Sequence, residues 1–309
     1  MLASFLVASI ACLGMVLAAP TQLVRREDDV PIKQEDFDRL NLGLNFELLE
    51  LDLFNLGLDR FSKEDWESAG YPASFVDLVR FMRDQEVAHA SAIQQILQGK
   101  GAKPCEYQFP DFAGPKEYIE FSSIVTSVGE AGYLGFTNQL YNRSSILTST
   151  QIFTTEARQN AVFRQARGLN PLNANFDTPL TESQSYTLNA PYIKSCPPEN
   201  PPIPFKVLPT LKAKIVDEDT VQLEWKEDKE KRTDESDGNK LYAAWINQLD
   251  LQFVEVTEDG KIPVPKGVFG NSFVVLTKRQ RVNRQGPLVA DEDVVAGPAA
   301  VVLPSTREN

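Results

Sequence analysis

The sequence predicts an α+β chain: a four-helix bundle over 34–167, a Pro-rich wrapping segment over 168–210 and a small antiparallel β-domain over 211–304. Three observations carry this. Before position 168, four long stretches space their apolar residues by three and four, the period of an amphipathic helix. Nine prolines then fall within 168–210, too many for regular helix, so that segment is expected to run extended. Beyond Pro209 the apolar residues alternate, as in strands with one buried face.

Taken in order, residues 1–19 (MLASFLVASIACLGMVLAA) are an apolar run ending in small residues. This reads as a secretory signal peptide cleaved after Ala18 or Ala19, with a membrane anchor as the alternative. Residues 20–33 are polar and read as a flexible or pro-segment, with dibasic processing after Arg26. No later stretch is long and apolar enough to span a bilayer, so the mature chain is expected to lack a transmembrane segment. The expected address is secreted and extracellular, with the cell wall as a destination. A net charge of −12 over 309 residues disfavours nucleic acid and anionic membrane surfaces as partners.

The first helix, Asp36–Leu58, aligns Leu40, Leu44, Glu47, Leu51, Phe54 and Leu58 on one stripe, so Glu47 faces inward. Ser62-Lys63-Glu64-Asp65 resembles a capping box and should open a short helix through Trp66, closed by Gly70-Tyr71-Pro72. The second long helix, Phe75–Leu97, aligns Phe75, Val79, Met82, Glu86, His89, Ile93 and Ile96. His89 is the only histidine in the chain, and with Glu86 it forms E-x-x-H on the core-facing stripe. Gly99–Pro115 is a long connection rich in Gly, Pro and aromatic residues. A third helix follows from about Lys116 to Tyr141, with Thr126, Glu130 and Tyr133 along one side. The fourth, about Ser145–Arg167, carries Ile152, Glu156, Gln159 and Phe163.

In the C-terminal region Thr220–Trp225 and Gln252–Val256 alternate, Thr257–Gly260 reads as a turn, and Ser272–Thr277 and Asp293–Leu303 read as further strands of a sandwich. Lys226–Lys240 is a charge-dense loop. Trp225 and Trp245 fit a buried core better than a polysaccharide-binding face. Cys12 leaves with the signal, so Cys105 and Cys196 remain. An even pair in a secreted chain suggests a disulfide, closing a loop of about 90 residues worth roughly 4–5 kcal/mol in the chain-entropy model. Asn142-Arg143-Ser144 is a glycosylation sequon.

A carboxylate and an imidazole on an apolar stripe are costly unless paired, metal-bound or shifted in pKa. Di-metal carboxylate bundles take one Glu from each of two helices and Glu-x-x-His from each of the other two. This chain offers Glu47, Glu86 with His89, Glu130, and Glu156 with Gln159 where a second histidine would stand. The match is partial.

Several segments resemble the secreted fungal ferritin-like proteins of the stress-response and late sexual development type, which are related to plant desiccation-related proteins. Leu42–Leu53 is similar to the family's first helix, and Gly57–Ser62 to its loop. Lys103–Pro110 resembles its cysteine-bearing crossover, Val128–Gly135 its third helix and Ile152–Arg158 its fourth. Phe176–Leu180 and Ser195–Pro197 resemble the wrap; Tyr242–Ile246, Phe273–Thr277 and Val295–Pro298 resemble the β-region. The resemblance implies a ferritin-like four-helix bundle and a site for iron or another divalent metal. Two departures bear on it. The family's E-A-R-H reads Glu156-Ala-Arg-Gln159 here, and its third-helix glutamate falls at Thr126, with Glu130 one turn later as a substitute.

Two functions follow as expectations. One is a secreted protein acting at the cell surface or wall in stress response or development, with a partly eroded carboxylate/His metal site. The other is a di-iron enzyme, ferroxidase-like or O2-activating, with Glu47, Glu86, His89, Glu130 and Glu156 as ligands and Gln159 beside them.

Overall fold

The computed structural model of the protein describes residues 32–172, 174–226, 240–282 and 286–304. The signal peptide expected over 1–19, residues 20–31 with the processing site after Arg26, and nearly all of the charge-dense loop lie outside the described residues. The helical part contains α1 (Gln34–Arg60), the short α2 (Lys63–Ser68), α3 (Ala73–Ile96), α4 (Pro115–Thr137) and α5 (Arg143–Ala166). The capping box opens α2: Ser62 Oγ accepts the Asp65 N–H at 3.1 Å, and Asp65 Oδ2 accepts the Ser62 N–H at 2.8 Å. Helix α4 ends a turn before Tyr141, because Asp36 draws the chain into a turn there, accepting the N–H groups of Tyr141 and Asn142 at 2.9 and 2.7 Å. Asn142, the sequon asparagine, then caps α5 by accepting from Ser144 and Ser145.

Side-chain pairs fix the directions. Gly43 faces Tyr133, Glu50 faces Thr126 and Gly57 faces Tyr118, so α4 runs antiparallel to α1. Leu53 and Phe54 share a core with Val79 and Met82, and Leu40 and Leu44 share one with Ile93 and Leu97, so α3 is antiparallel to α1 as well. Helices α3 and α4 are therefore parallel, and the link between them must travel the length of the bundle, about 36 Å for a 24-residue helix. Within that link β1 (Glu106–Tyr107) pairs with β2 (Ile193–Ser195) of the wrap. The Cys105–Cys196 disulfide, S–S 2.03 Å, joins the same two segments.

The wrap departs from its expected extended form. Between Pro179 and Pro191 it contains α6 (Glu182–Asn189), opened by a capping box in which Thr181 Oγ1 accepts the Gln184 N–H and Gln184 Oε1 accepts the Thr181 N–H. Proline excludes helix only locally, and the interval between these two is free of it. The T-x-x-Q start signal marks the helix in the sequence.

The C-terminal region is a sandwich. One sheet has β3 (Leu211–Asp217), β4 (Thr220–Trp225) and β7 (Lys261–Pro263); the other has β5 (Tyr242–Asn247), β6 (Asp250–Glu255), β8 (Asn271–Thr277) and β9 (Val294–Val302). Their orders are β3-β4-β7 and β6-β5-β8-β9, with every pairing antiparallel. The four-stranded sheet is covered on both faces. Ala243, Trp245, Val274 and Leu276 pack toward the other sheet, whereas Ala244, Ile246, Phe273 and Val275 pack with Val128 and Ala131 of α4. Trp245 is fully buried and Trp225 packs against the same core, as the core reading expected. Bundle, wrap and sandwich form one compact unit.

Arg164, fully buried near the end of α5, ties this unit together. Its Nη1 donates to Asn271 Oδ1 at 3.1 Å, Nη2 to the Leu303 carbonyl at 3.4 Å and Nε to the Asn170 carbonyl at 3.0 Å. Arg164→Met keeps the apolar stem but removes these donors. It is expected to cost about 3 kcal/mol, read as a fall in Tm on the order of 10 °C.

Candidate metal centre

Three helices supply the centre because their inward stripes turn polar at the same level of the bundle. Among the described residues, Glu47 (α1), Glu86 and His89 (α3) and Glu156 (α5) each offer one ligand atom, and these atoms all lie within 4.8 Å of one another. His89 Nδ1 is their focus. It stands 3.0 Å from Glu47 Oε2, 3.2 Å from Glu86 Oε2 and 3.5 Å from Glu156 Oε1. The three glutamates are buried, and only 11% of the His89 side chain reaches solvent, so an approaching ion meets the histidine first.

The neighbours orient this set. Tyr133 Oη donates to Glu47 Oε1, and Gly43 makes room for it: a Cβ there would stand 2.6 Å from the hydroxyl. Gln159 Nε2 donates to Glu86 Oε1 at 2.6 Å. Neither oxygen of Glu156 has a hydrogen-bond partner, and neither does Gln159 Oε1. A carboxylate so deeply buried and left without a donor is rare and costly. It is the observation that a cation fits best, and three carboxylates with an imidazole nitrogen are the donors borderline and hard divalent ions take.

Without an ion, protons balance the charge. Burial drives the His89 imidazole down, but the charge of Glu47 and hydrogen bonds to Glu47 and Glu86 outweigh it and hold the pKa at about 10. Burial pushes Glu47 up, and the charge and hydrogen bond of His89, helped by Glu86 and Tyr133, bring it below the ordinary carboxylate value. Glu86 is raised to about 8, chiefly by burial. Glu156 is raised well above the carboxylate range by burial and then by Glu86, Glu50 and Glu47. The centre is thus built on an imidazolium–carboxylate pair, His89 with Glu47, while burial drives Glu86 and Glu156 toward their protonated forms.

Glu130 lies outside the group of four that converges. The expectation placed it with the other ligands as a substitute one turn beyond Thr126. It is buried, but it accepts from Asn160 Nδ2 and lies beside Asp177. Burial and Asp177 push its carboxyl well above the ordinary range. The reason is helical phase. Position 130 is rotated about 40° from 126, whereas 133 is rotated about 20° the other way, so Thr126 and Tyr133 meet α1 while Glu130 turns toward α5.

One acid in the same space escaped the sequence reading. Glu50 is buried, accepts from Thr126 Oγ1 at 2.7 Å, and is raised by burial and by the charges of Glu86 and Glu47. Its signal was the spacing Gly43, Glu47, Glu50, Phe54, a second line of three and four beside the stripe through Leu51. Two inward lines on one helix mean that α1 is surrounded, as its continuous burial from Leu40 to Glu50 shows.

Comparison with known proteins agrees with this architecture. Residues 35–169 match the model of the ferritin-like domain, so the helical part of this α+β chain is a ferritin-like bundle. The chain is similar to Protein rds1 of the fission yeast Schizosaccharomyces pombe (strain 972 / ATCC 24843), with 36% identity over 181 residues. That alignment covers 59% of this chain and 45% of rds1, less than half of the relative.

Proposed function

We propose that the chain is a secreted ferritin-like protein that binds a divalent metal, iron foremost, and acts at the cell surface or wall in stress response or development. The observation that carries the metal-binding part is the buried group of Glu47, Glu86, Glu156 and His89, with the oxygens of Glu156 unpartnered. Secretion is supported by the apolar run with small residues at 1–19, and by the Cys105–Cys196 disulfide, a bond that persists in oxidising compartments. The setting in stress or development rests on the resemblance of the segments named above. Among the described residues no helix is long and apolar enough to cross a membrane.

In this reading His89 gives up its proton and binds through Nδ1, while Glu47, Glu86 and Glu156 bind as carboxylates. Tyr133 keeps Glu47 turned inward, and Gln159 keeps Glu86 in place. Bound iron would supply Fe²⁺ oxidation or O2 activation, the chemistry of the second, enzymatic reading. The deeply buried carboxylates favour a held ion over a large substrate.

The test is metal analysis of the secreted, processed protein after expression with Fe²⁺, beside Glu86→Ala. At least about one ion per chain is expected in the wild type and less than a tenth of that in the variant. Wild-type protein that stays below a tenth of an equivalent would end the metal reading.

A further inference from the structure

The template of di-metal bundles contains four glutamates, one from each of two helices and one from each of two Glu-x-x-His pairs. In this chain α4 contributes none to the centre: Thr126 stands at the expected place and Glu130 turns away. Yet four carboxylates still converge, because α1 brings two, Glu47 and Glu50, one turn apart. Two sequence features make room for the second. Thr126 is short and donates its hydroxyl to Glu50 Oε2 at 2.7 Å. Gly129, on the next turn of α4, has no side chain where one would collide, since a Cβ there would stand 2.6 Å from Glu50 Oε1.

Glu156 links this second acid to the first group. Its Oε1 faces His89 Nδ1 at 3.5 Å, whereas its Oε2 lies 3.9 Å from that same Cβ point over Gly129, on the Glu50 side. It is 1% exposed, and neither oxygen has a hydrogen-bond partner. One oxygen toward each acid group is the arrangement of a carboxylate shared between two cations. Four carboxylates also balance two divalent charges, which three would not.

We propose that Glu50 supplies from α1 the carboxylate that such bundles take from their third long helix, so that Glu50 and Glu156 form a second metal position, with Glu156 bridging it to the first at Glu47, Glu86 and His89. The substitution is reciprocal in volume: α4 loses an acid and shrinks to Thr126 and Gly129, and α1 fills the space with one. This rests on the metal-binding reading above and adds the number of ions and the ligand of the second.

The experiment titrates the metal-stripped full chain with Mn²⁺ and reads stoichiometry by calorimetry and coupling between ions by electron paramagnetic resonance. The wild type is expected to take up two ions with an exchange-coupled spectrum, because a shared carboxylate couples them. Glu50→Gln, which keeps the shape and the Thr126 hydrogen bond, is expected to bind one ion with an isolated-ion spectrum. Gly129→Ala removes no ligand but displaces Glu50 Oε1, and is expected to weaken the second ion at least tenfold while the first is unchanged. Circular dichroism of both variants checks that the bundle is intact. A wild type that binds one ion, or two that persist in Glu50→Gln, overturns the assignment and leaves the metal-binding reading standing. No ion in the wild type overturns both.

Discussion

His89→Ala is expected to strip the centre of metal and to weaken the bundle even when no metal is present. The ring nitrogen Nδ1 lies within 3.5 Å of an oxygen of each of the three carboxylates. Its loss should lower metal affinity by more than about 100-fold, beyond what removal of an orienting partner costs. In metal-free protein it also removes the cation facing Glu47, whose carboxylate is held ionised by that partner. Orphaning a buried charge costs about 3 kcal/mol or more, a fall in Tm on the order of 10 °C. Two measurements separate the effects: metal content by elemental analysis, and thermal unfolding with and without chelator. If the Glu–His cluster only braces the bundle, chelator leaves the wild-type Tm unchanged. If it holds metal, chelator lowers the wild-type Tm and has no effect on His89→Ala.

The second large effect is a pH dependence whose sign depends on metal. The folded pKa of Glu86 is raised from 4.5 to about 8, and that of His89 from 6.5 to about 10. In both cases the folded state binds more protons than the unfolded chain between the two values, so stability falls as pH rises. The contribution of Glu86 is complete below 4.5 and gone above about 8; that of His89 is complete below 6.5 and gone above about 10. Metal-free protein should therefore lose Tm steadily between pH 6 and 9, on the order of 10 °C. Ligands must shed these protons to bind a cation, so metal affinity rises with pH, and metal-loaded protein should hold its Tm over the same interval. Tm curves from pH 5 to 9 in chelator and in excess Zn²⁺, a redox-inert probe, decide this. Parallel curves would refute the coupling.

Much of the helical half is legible in the sequence because its signals are local. Three-and-four spacing locates each long helix, and the Ser62 capping box locates α2. The inward glutamates of α1, α3 and α5 follow from the same spacing. What escapes is information held between elements. Glu130 and Thr126 share a side of α4 on a coarse wheel, and only the packing of α5 shows that 40° is enough to send one acid elsewhere. Glu50 is hidden because α1 is buried around its whole circumference, so no polar face remains to define the inward one. Strand β5, Tyr242–Asn247, lacks alternation since both faces of its sheet are covered, and a strand buried on both sides reads as a plain apolar run. Helix α6 lies in a segment whose overall proline content conceals one proline-free interval.

The sheet that covers α4 has a consequence for truncation of the chain. Val128 and Ala131 on the bundle and Phe273 and Val275 on the sandwich are each other's solvent shield, and Arg164 on α5 donates to Asn271 and Leu303 across the same boundary. A fragment comprising the helices alone would expose an apolar patch on α4 and lose the hydrogen bonds that hold Arg164, and such patches promote aggregation. The bundle of this chain therefore depends on its sandwich. Expressed without residues 168–304, it is expected to lose soluble yield relative to the full chain.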